Sequence, residues 1–394
     1  MRGNLGTSRH SPWRGRARDP RGRFNPSQVA SRILFSLVLV AGVVNAASGG
    51  REPANLTSGT DQQFSPFKPC VPPLGLGYNR WTNARPPGGP SARWSHAMAY
   101  DVQSERTILY GGQPSTGPMS NETWAYDFAT NGWQDMNPSA RPSGREHPGI
   151  AYDAQSDRLI LFGGGNHLTS VYSNETWAYD FETNTWTNMS PPSPPSRRYD
   201  FGMVYDSRAD RVILFGGAGP TQNNETWAYD FETNAWTRLT PTRSPAPRQA
   251  HSMAYDSESD RVLLFGGAYT RDNETWAYDF NANAWTRMNP PTHPTGRWGA
   301  RMAYDPRADR VVLFGGWDGS YSDETWAYDF NANSWTNLNP PSTPGGLEAP
   351  GLVYDSCSRR LVLFGGFRGP SNPQPYSNET WWYRFQGAPP VIFQ

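Results

Sequence analysis

A motif of seven residues, Glu-Thr-Trp-Ala-Tyr-Asp-Phe, recurs along the chain, and each copy follows a pair of glycines by a short segment. The second glycines of the six pairs lie 52, 53, 50, 49 and 50 residues apart. They are Gly112, Gly164, Gly217, Gly267, Gly316 and Gly366. A period near 50 residues indicates an array of equivalent units, each of which buries its apolar face against the next one.

The first five repeats each contain four segments of strand length, as the fourth copy illustrates. His251–Asp256 alternates apolar and polar residues like a half-buried strand, whereas Arg261–Gly267 carries an apolar run typical of a strand buried on both faces. Glu274–Phe280 follows, and a tight turn with a left-handed Asn283 leads to a segment around Trp285. The pattern predicts an all-β propeller whose four-stranded blades have strands a to d from the centre outward.

The last repeat lacks a strand d, because only nine residues follow the segment that ends at Phe385. The missing piece occurs near the other end of the sequence, where Trp81-Thr82-Asn83 matches the Trp-Thr-Asn at Trp186. We therefore predict that residues 78–386 form a six-bladed propeller, closed by an N-terminal strand that completes the last blade. Such a closure leaves no unpaired strand edge at the junction.

A glycine pair, a later tyrosine and a tryptophan seven residues after that tyrosine recur in five repeats. The pairs are Tyr126 and Trp133, Tyr179 and Trp186, Tyr229 and Trp236, Tyr278 and Trp285, and Tyr328 and Trp335. This pattern resembles the kelch repeat over residues 78 to about 386, and it is most similar to that of exported kelch proteins of bacterial type. The resemblance supports the propeller fold and constrains activity only weakly, since propellers host unrelated functions.

The flanking segments suggest export. Arginines precede an apolar run at residues 33–44, and Ala46 ends a small-residue cleavage pattern, so residues 1–46 predict a secretory signal peptide. An uncleaved anchor or a misplaced start codon is the alternative, because the arginine-rich segment is unusually long, although twelve apolar residues are too few to span a membrane. Residues 47–77 form a Pro/Gly/Ser-rich linker and residues 387–394 a short tail. We expect a secreted or otherwise extracytoplasmic monomer, without membrane insertion after cleavage.

The chain has two cysteines, Cys70 and Cys357. Cys357 falls in the turn between strands a and b of blade 6, and Cys70 precedes the closing strand of that same blade by a short linker. Both thiols are thus expected on one face of one blade, and an exported protein can keep such a bond. We predict a Cys70–Cys357 disulfide, with two unrelated thiols as the alternative.

Arginines recur seven residues before the tyrosine of strand a. They are Arg93, Arg145, Arg198, Arg248 and Arg297. We expect these side chains to face the central channel on the side of the variable loops. They either pair with turn carbonyls and acidic residues or form a cradle for an anion, because guanidinium groups suit such ligands.

Departures from the repeat concentrate in blades 5, 6 and 1, which are neighbours in a ring, and on loops that share one face. Blade 6 also replaces the repeated arginine with Leu347. The predicted ligand-binding residues are Trp94, Trp298, Trp317, Tyr321, Phe367, Tyr376, Arg93, Arg297 and Glu348. A partly acidic aromatic surface suits a protein, peptide or glycan partner, unless the loops merely pack on one another.

The formal charge is zero, from 35 basic and 35 acidic residues, so we expect no nucleic-acid partner. Catalysis on the same face is the alternative function, since galactose-oxidase-like enzymes, sugar epimerases and mutarotases use kelch propellers. His96 and His251 fall on opposite blades, which fits a copper site poorly, and an acid–base pair stays open. We expect no cofactor and favour a binding module over an enzyme.

Overall fold

The computed structural model describes residues 77–219, 221–267 and 272–385, which contain six four-stranded antiparallel sheets and two two-stranded ribbons. The predicted signal peptide, nearly all of the linker with Cys70, and the tail lie outside the described residues. Within the described ranges, no helix has the length and apolarity needed to cross a membrane.

The six sheets are the predicted blades, and each has strand a at the channel and strand d at the outside. Blade 1 comprises Ala97–Asp101, Arg106–Tyr110, Thr123–Asp127 and Gly132–Asp135. Blade 2 comprises Gly149–Asp153, Arg158–Phe162, Thr176–Asp180 and Thr185–Asn188. Blade 3 comprises Gly202–Asp206, Arg211–Phe215, Thr226–Asp230 and Ala235–Leu239. Blade 4 comprises Ser252–Asp256, Arg261–Phe265, Thr275–Asp279 and Ala284–Arg287. Blade 5 comprises Arg301–Asp305, Arg310–Phe314, Thr325–Asp329 and Ser334–Asn337. Blade 6 comprises Gly351–Asp355, Arg360–Phe364, Thr380–Tyr383 and Trp81–Asn83.

The apolar run of strand b forms the core, as predicted. In blade 4 the run from Val262 to Phe265 is buried on both faces, because neighbouring blades cover the sheet from either side. The outer strand of that blade, Ala284–Arg287, exposes its polar residues and buries Trp285. The turn before it has Asn283 at φ 47°, the left-handed conformation that the sequence indicated.

The strand d tryptophans join neighbouring blades. The Nε1 of Trp236 donates to Thr176 Oγ1 of the preceding blade at 2.9 Å, and its ring centroid lies 5.0 Å from that of Phe162. All six interfaces have this bond, with lengths of 2.9–3.0 Å. The pairs are Trp133–Thr380, Trp186–Thr123, Trp236–Thr176, Trp285–Thr226, Trp335–Thr275 and Trp81–Thr325. The bond satisfies an indole N–H that would otherwise be costly to bury.

The predicted closure is confirmed. Trp81–Asn83 pairs antiparallel with strand c of blade 6, and Trp81 lies opposite Tyr383. The Trp81 side chain is 1% exposed and reaches Thr325 of blade 5. The two ends of the propeller therefore meet inside one sheet. Cys357 lies partly buried in the a–b turn of this blade, as expected, but the disulfide stays a prediction because Cys70 is outside the described residues.

Candidate ligand-binding face

A ring of backbone hydrogen bonds, here called the collar, surrounds one mouth of the central channel. Each blade contributes one residue just before its strand a, and all six have φ between 46° and 66°. They are Ser95, His147, Asp200, Ala250, Gly299 and Ala349. Five backbone N–H···O bonds of 2.7–3.1 Å connect residues of adjacent blades in this ring. The left-handed conformation turns the chain so that one blade can donate to the next, which makes the mouth a fixed frame.

The collar carries ionisable groups on one side only. His147 Nδ1 and Asp200 Oδ1 form an ion pair between blades 2 and 3, and both side chains line the channel. Burial opposes the charge on each, but their mutual attraction prevails, so the pKa of His147 is raised and that of Asp200 is lowered. The opposite side of the collar has Ala250, Gly299 and Ala349, whose side chains are small.

A cation lies below the collar. Arg301, the first residue of strand a in blade 5, lines a channel of about 420 Å³. The other blades have only Ala97, Gly149, Gly202, Ser252 and Gly351 at this position. Burial lowers the pKa of Arg301, and the charges of Asp200 and Glu348 oppose that effect. The charges of Arg301, Asp200 and Glu348 therefore influence one another at this end of the channel.

Glu348 of blade 6 lies beside the collar. A Cβ on Gly299 would come within 2.6 Å of the Glu348 Cγ, so only glycine leaves room for this side chain. Its Oε1 accepts a hydrogen bond from Trp298 Nε1 at 3.1 Å. Burial, and after it the charge of Asp200, raise the pKa of Glu348 to about 7. The carboxyl group thus changes its charge near neutral pH.

Aromatic side chains form a rim above the collar. Phe367 lies at its centre, with ring centroids 5.1 Å from Trp94, 5.6 Å from Tyr321 and 5.4 Å from Tyr376. Trp94 in turn lies 5.7 Å from His147, which extends the rim to blade 2.

Trp298 and Trp317 form a separate pair at 4.2 Å on blade 5, joined to the rest of the rim through Glu348. The structure therefore gathers all of the predicted aromatic residues and Glu348 on one face. Each is partly buried by the others.

Tyr199 and Tyr172 were missed from the sequence, and they complete the rim on blades 2 and 3. Their rings stack at 4.6 Å, and Tyr199 lies 6.1 Å from His147. His147, Asp200 and Arg301 were missed as well. An alignment of the repeats could have identified these three residues. They lie two or four positions after the repeated arginine, where the other repeats carry mostly small side chains.

The expectation that the repeated arginines face the channel is wrong. Arg93 and Arg297 are each 1% exposed, and all five N–H groups of each guanidinium are used inside the protein. In blade 5 the acceptors include the carbonyl of Gly315 and the carboxylate of Glu324. Because no donor remains, neither arginine can hold a ligand. Both clamp the d–a loop to the loop between strands b and c.

Blade 6 lacks this clamp and pairs the equivalent carboxylate within its own b–c loop. Leu347 occupies the arginine position and is fully buried. The guanidinium of Arg368, which comes from the b–c loop, pairs instead with Glu379, the counterpart of Glu324. The departure at Leu347 therefore has a structural cause, and it leaves Glu348 beside the collar.

His96 and His251 are packing residues. His251 Nε2 accepts a hydrogen bond from the backbone N–H of Gly202 on the preceding blade at 3.1 Å. His96 packs closely against Gly351 of blade 6, where a Cβ would lie 2.6 Å from His96 Nε2. Burial lowers the pKa of both, to about 3 for His251, so each is neutral. In the part of the chain that the structure describes, no three His, Cys, Asp or Glu side chains are arranged to hold a metal ion.

Sequence similarity to known kelch proteins supports the propeller fold. The chain is similar to Kelch domain-containing protein 3 from Homo sapiens, with 27% identity over 176 residues, which is 41% of this chain and 44% of that protein. The Bos taurus protein of the same name is 27% identical over 206 residues, 48% of this chain and 52% of its own length. Mei4-dependent protein 6 from Schizosaccharomyces pombe is 27% identical over 139 residues, 33% of this chain and 20% of that protein.

The chain thus spans about half the length of the first two relatives, or less. The model of the KLHDC2/KLHL20/DRC7 Kelch-repeats domain matches residues 74–267 and 154–366, which together include most of the propeller. The chain belongs to this kelch-repeat family.

Proposed function

We propose that the protein is an exported binding module that recognises a protein, peptide or glycan through the rim and the channel mouth. Kelch propellers are generally protein-interaction modules. The observation that carries the proposal is the gathering of non-repeat aromatic side chains around a mouth that also holds ionisable groups. Partly buried aromatic residues on a rigid scaffold are typical of the residues that dominate binding energy.

The test is an array of peptides and glycans probed with the labelled protein and with a variant carrying Trp94→Ala, Trp298→Ala and Trp317→Ala. We expect the variant to lose binding while its circular dichroism spectrum stays that of a folded propeller. Glu182→Gln, an exposed substitution in the c–d turn of blade 2 on the opposite face, is the control and should bind normally. Equal binding by the triple variant would contradict the proposal.

Export rests on residues 1–46 and on the two cysteines. We expect cleavage after Ala46 in a secreting host of the bacterial type, and a Cys70–Cys357 disulfide in the mature protein. Intact mass before and after reduction and alkylation measures both features. A retained leader would contradict export, and two alkylated thiols without reductant would contradict the disulfide.

A sugar epimerase or mutarotase on the same face is the second candidate. It is favoured by acid–base groups at the channel mouth, where Glu348 titrates near 7 and His147 pairs with Asp200. Turnover of a reducing sugar that disappears in Glu348→Gln and His147→Gln would support this candidate. Binding without turnover favours the module.

A further inference from the structure

The collar residues of blades 4, 5 and 6 have small or no side chains. They are Ala250, Gly299 and Ala349, and the Glu348 side chain lies against Gly299. The other side presents His147 and Asp200, which are only 12% and 13% exposed. A small group entering the mouth would therefore have Glu348 on one side and His147 and Asp200 on the other.

Arg301 has unused donors at this entrance. Among the described residues it makes one hydrogen bond, from Nη1 to the carbonyl of Ala300 at 3.3 Å, and no ion pair within 4.0 Å. The clamp arginine Arg297, by contrast, uses all of its donors. An arginine carries five N–H groups, so Arg301 has several available to a ligand in the channel.

The charges around the mouth balance one another. Blades follow in order around the ring, so blade 5 faces blade 2 and blade 6 faces blade 3. Arg301 thus faces His147, and Glu348 faces Asp200, which places two bases and two acids around one opening. His147 and Asp200 compensate each other as an ion pair, so an anion would be attracted by Arg301 and repelled by the ionised Glu348, and the reverse holds for a cation. The arrangement favours a neutral ligand that both donates and accepts hydrogen bonds.

We infer that the channel mouth binds a neutral sugar unit. Hydroxyl groups can accept from Arg301 and donate to Asp200 and Glu348, and the rim offers Trp94 and Phe367 as apolar surface for the C–H face of a pyranose ring. The channel volume of about 420 Å³ falls within the range of small-molecule sites. This inference rests on the proposed binding function and narrows its ligand class.

Isothermal titration of the full chain with methyl glucoside, methyl galactoside and methyl mannoside tests the inference. Glucuronate and glucosamine serve as negatively and positively charged ligands of similar size. We expect at least one neutral glycoside to bind about tenfold or more tightly than both charged sugars. Arg301→Met should weaken that binding about tenfold or more, because hydrogen bonds to a charged group are lost.

Arg307→Met, on the exposed a–b turn of the same blade, is the matched control and should bind like the unaltered protein. If Arg301→Met does not fold, Asp200→Asn and Glu348→Gln test the acceptors with side chains of nearly the same shape. Stronger binding of glucuronate or glucosamine would overturn the inference, as would neutral-sugar binding that survives these substitutions. Binding of peptides through the rim without binding of any sugar would support the proposed function and overturn this inference. Absence of binding on the arrays would contradict both.

Discussion

Trp81→Ala tests the closure of the ring. Trp81 belongs to the shortest strand of blade 6, and its side chain makes both a ring contact and a hydrogen bond to blade 5. The side chain is 1% exposed, its ring lies 5.0 Å from Phe314 and 5.1 Å from Tyr383, and its Nε1 donates to Thr325. Truncation of a buried tryptophan costs about 3–5 kcal/mol. The buried Thr325 hydroxyl would also lose its partner, at about 1 kcal/mol or more.

We therefore expect the free energy of unfolding to fall by about 4–6 kcal/mol, a large part of the stability of an ordinary domain. Three paired residues hold the closing strand, so its release should expose the edge of strand c. Urea denaturation followed by circular dichroism measures the first effect. Hydrogen exchange at Thr380–Tyr383 and size-exclusion chromatography measure the second.

Two control variants separate the contributions. Trp81→Phe keeps most of the apolar contact and should cost about 1–3 kcal/mol through the lost hydrogen bond. Trp236→Ala removes the equivalent bond from blade 3 to blade 2, and the chain continues on both sides of the Trp236 strand, so this variant should destabilise without increasing exchange in blade 6. An unchanged urea midpoint for Trp81→Ala, with strand c of blade 6 still protected, would refute the reasoning.

Two further substitutions address the arginine clamp and the Glu348 carboxyl. Arg297→Met should lower the free energy of unfolding by about 2–3 kcal/mol in urea denaturation, because Gly315 and Glu324 lose buried donors, whereas Arg310→Met at a 30% exposed ion pair should cost under about 1 kcal/mol. Equal losses would contradict the clamp. The pKa of Glu348 is raised in the folded state from 4.5 to about 7, so its stabilising contribution is complete below pH 4.5 and is lost as the pH rises through 7. Glu348→Gln should therefore match the unaltered protein near pH 4.5 and exceed it by up to about 3 kcal/mol at pH 8, and a difference that does not change with pH would refute the assignment.

The strands and the closure could be predicted because they follow from periodicity. A continuous apolar run indicates a strand covered on both sides, and Trp81-Thr82-Asn83 matches other strand d segments residue by residue. Such a match assigns a segment to its strand even when the rest of its blade is far away in the sequence. The assignment does not depend on the direction of any side chain.

The direction of the long side chains could not be predicted. Whether Arg93 extends into the channel or into its own loop depends on Ser120 and Glu122, which lie 27 and 29 residues away. His147, Asp200 and Arg301 each look like an isolated departure from one repeat. Only the closed ring brings blades 2, 3 and 5 together around the mouth, so the grouping appears in three dimensions and not along the sequence.

The strand contributed by the N-terminal side makes the position of the chain break arbitrary. In blade 6 the connection between strands c and d is absent, yet Thr380–Tyr383 and Trp81–Asn83 pair as the same strands do in the continuous blades. The Trp–Thr bond across that junction has the same 2.9 Å length as most of the others. A circular permutant of residues 78–385 that opens any other c–d turn and links Phe385 to Tyr78 by a short turn should therefore form the same ring. The blades are then interchangeable with respect to where the propeller starts.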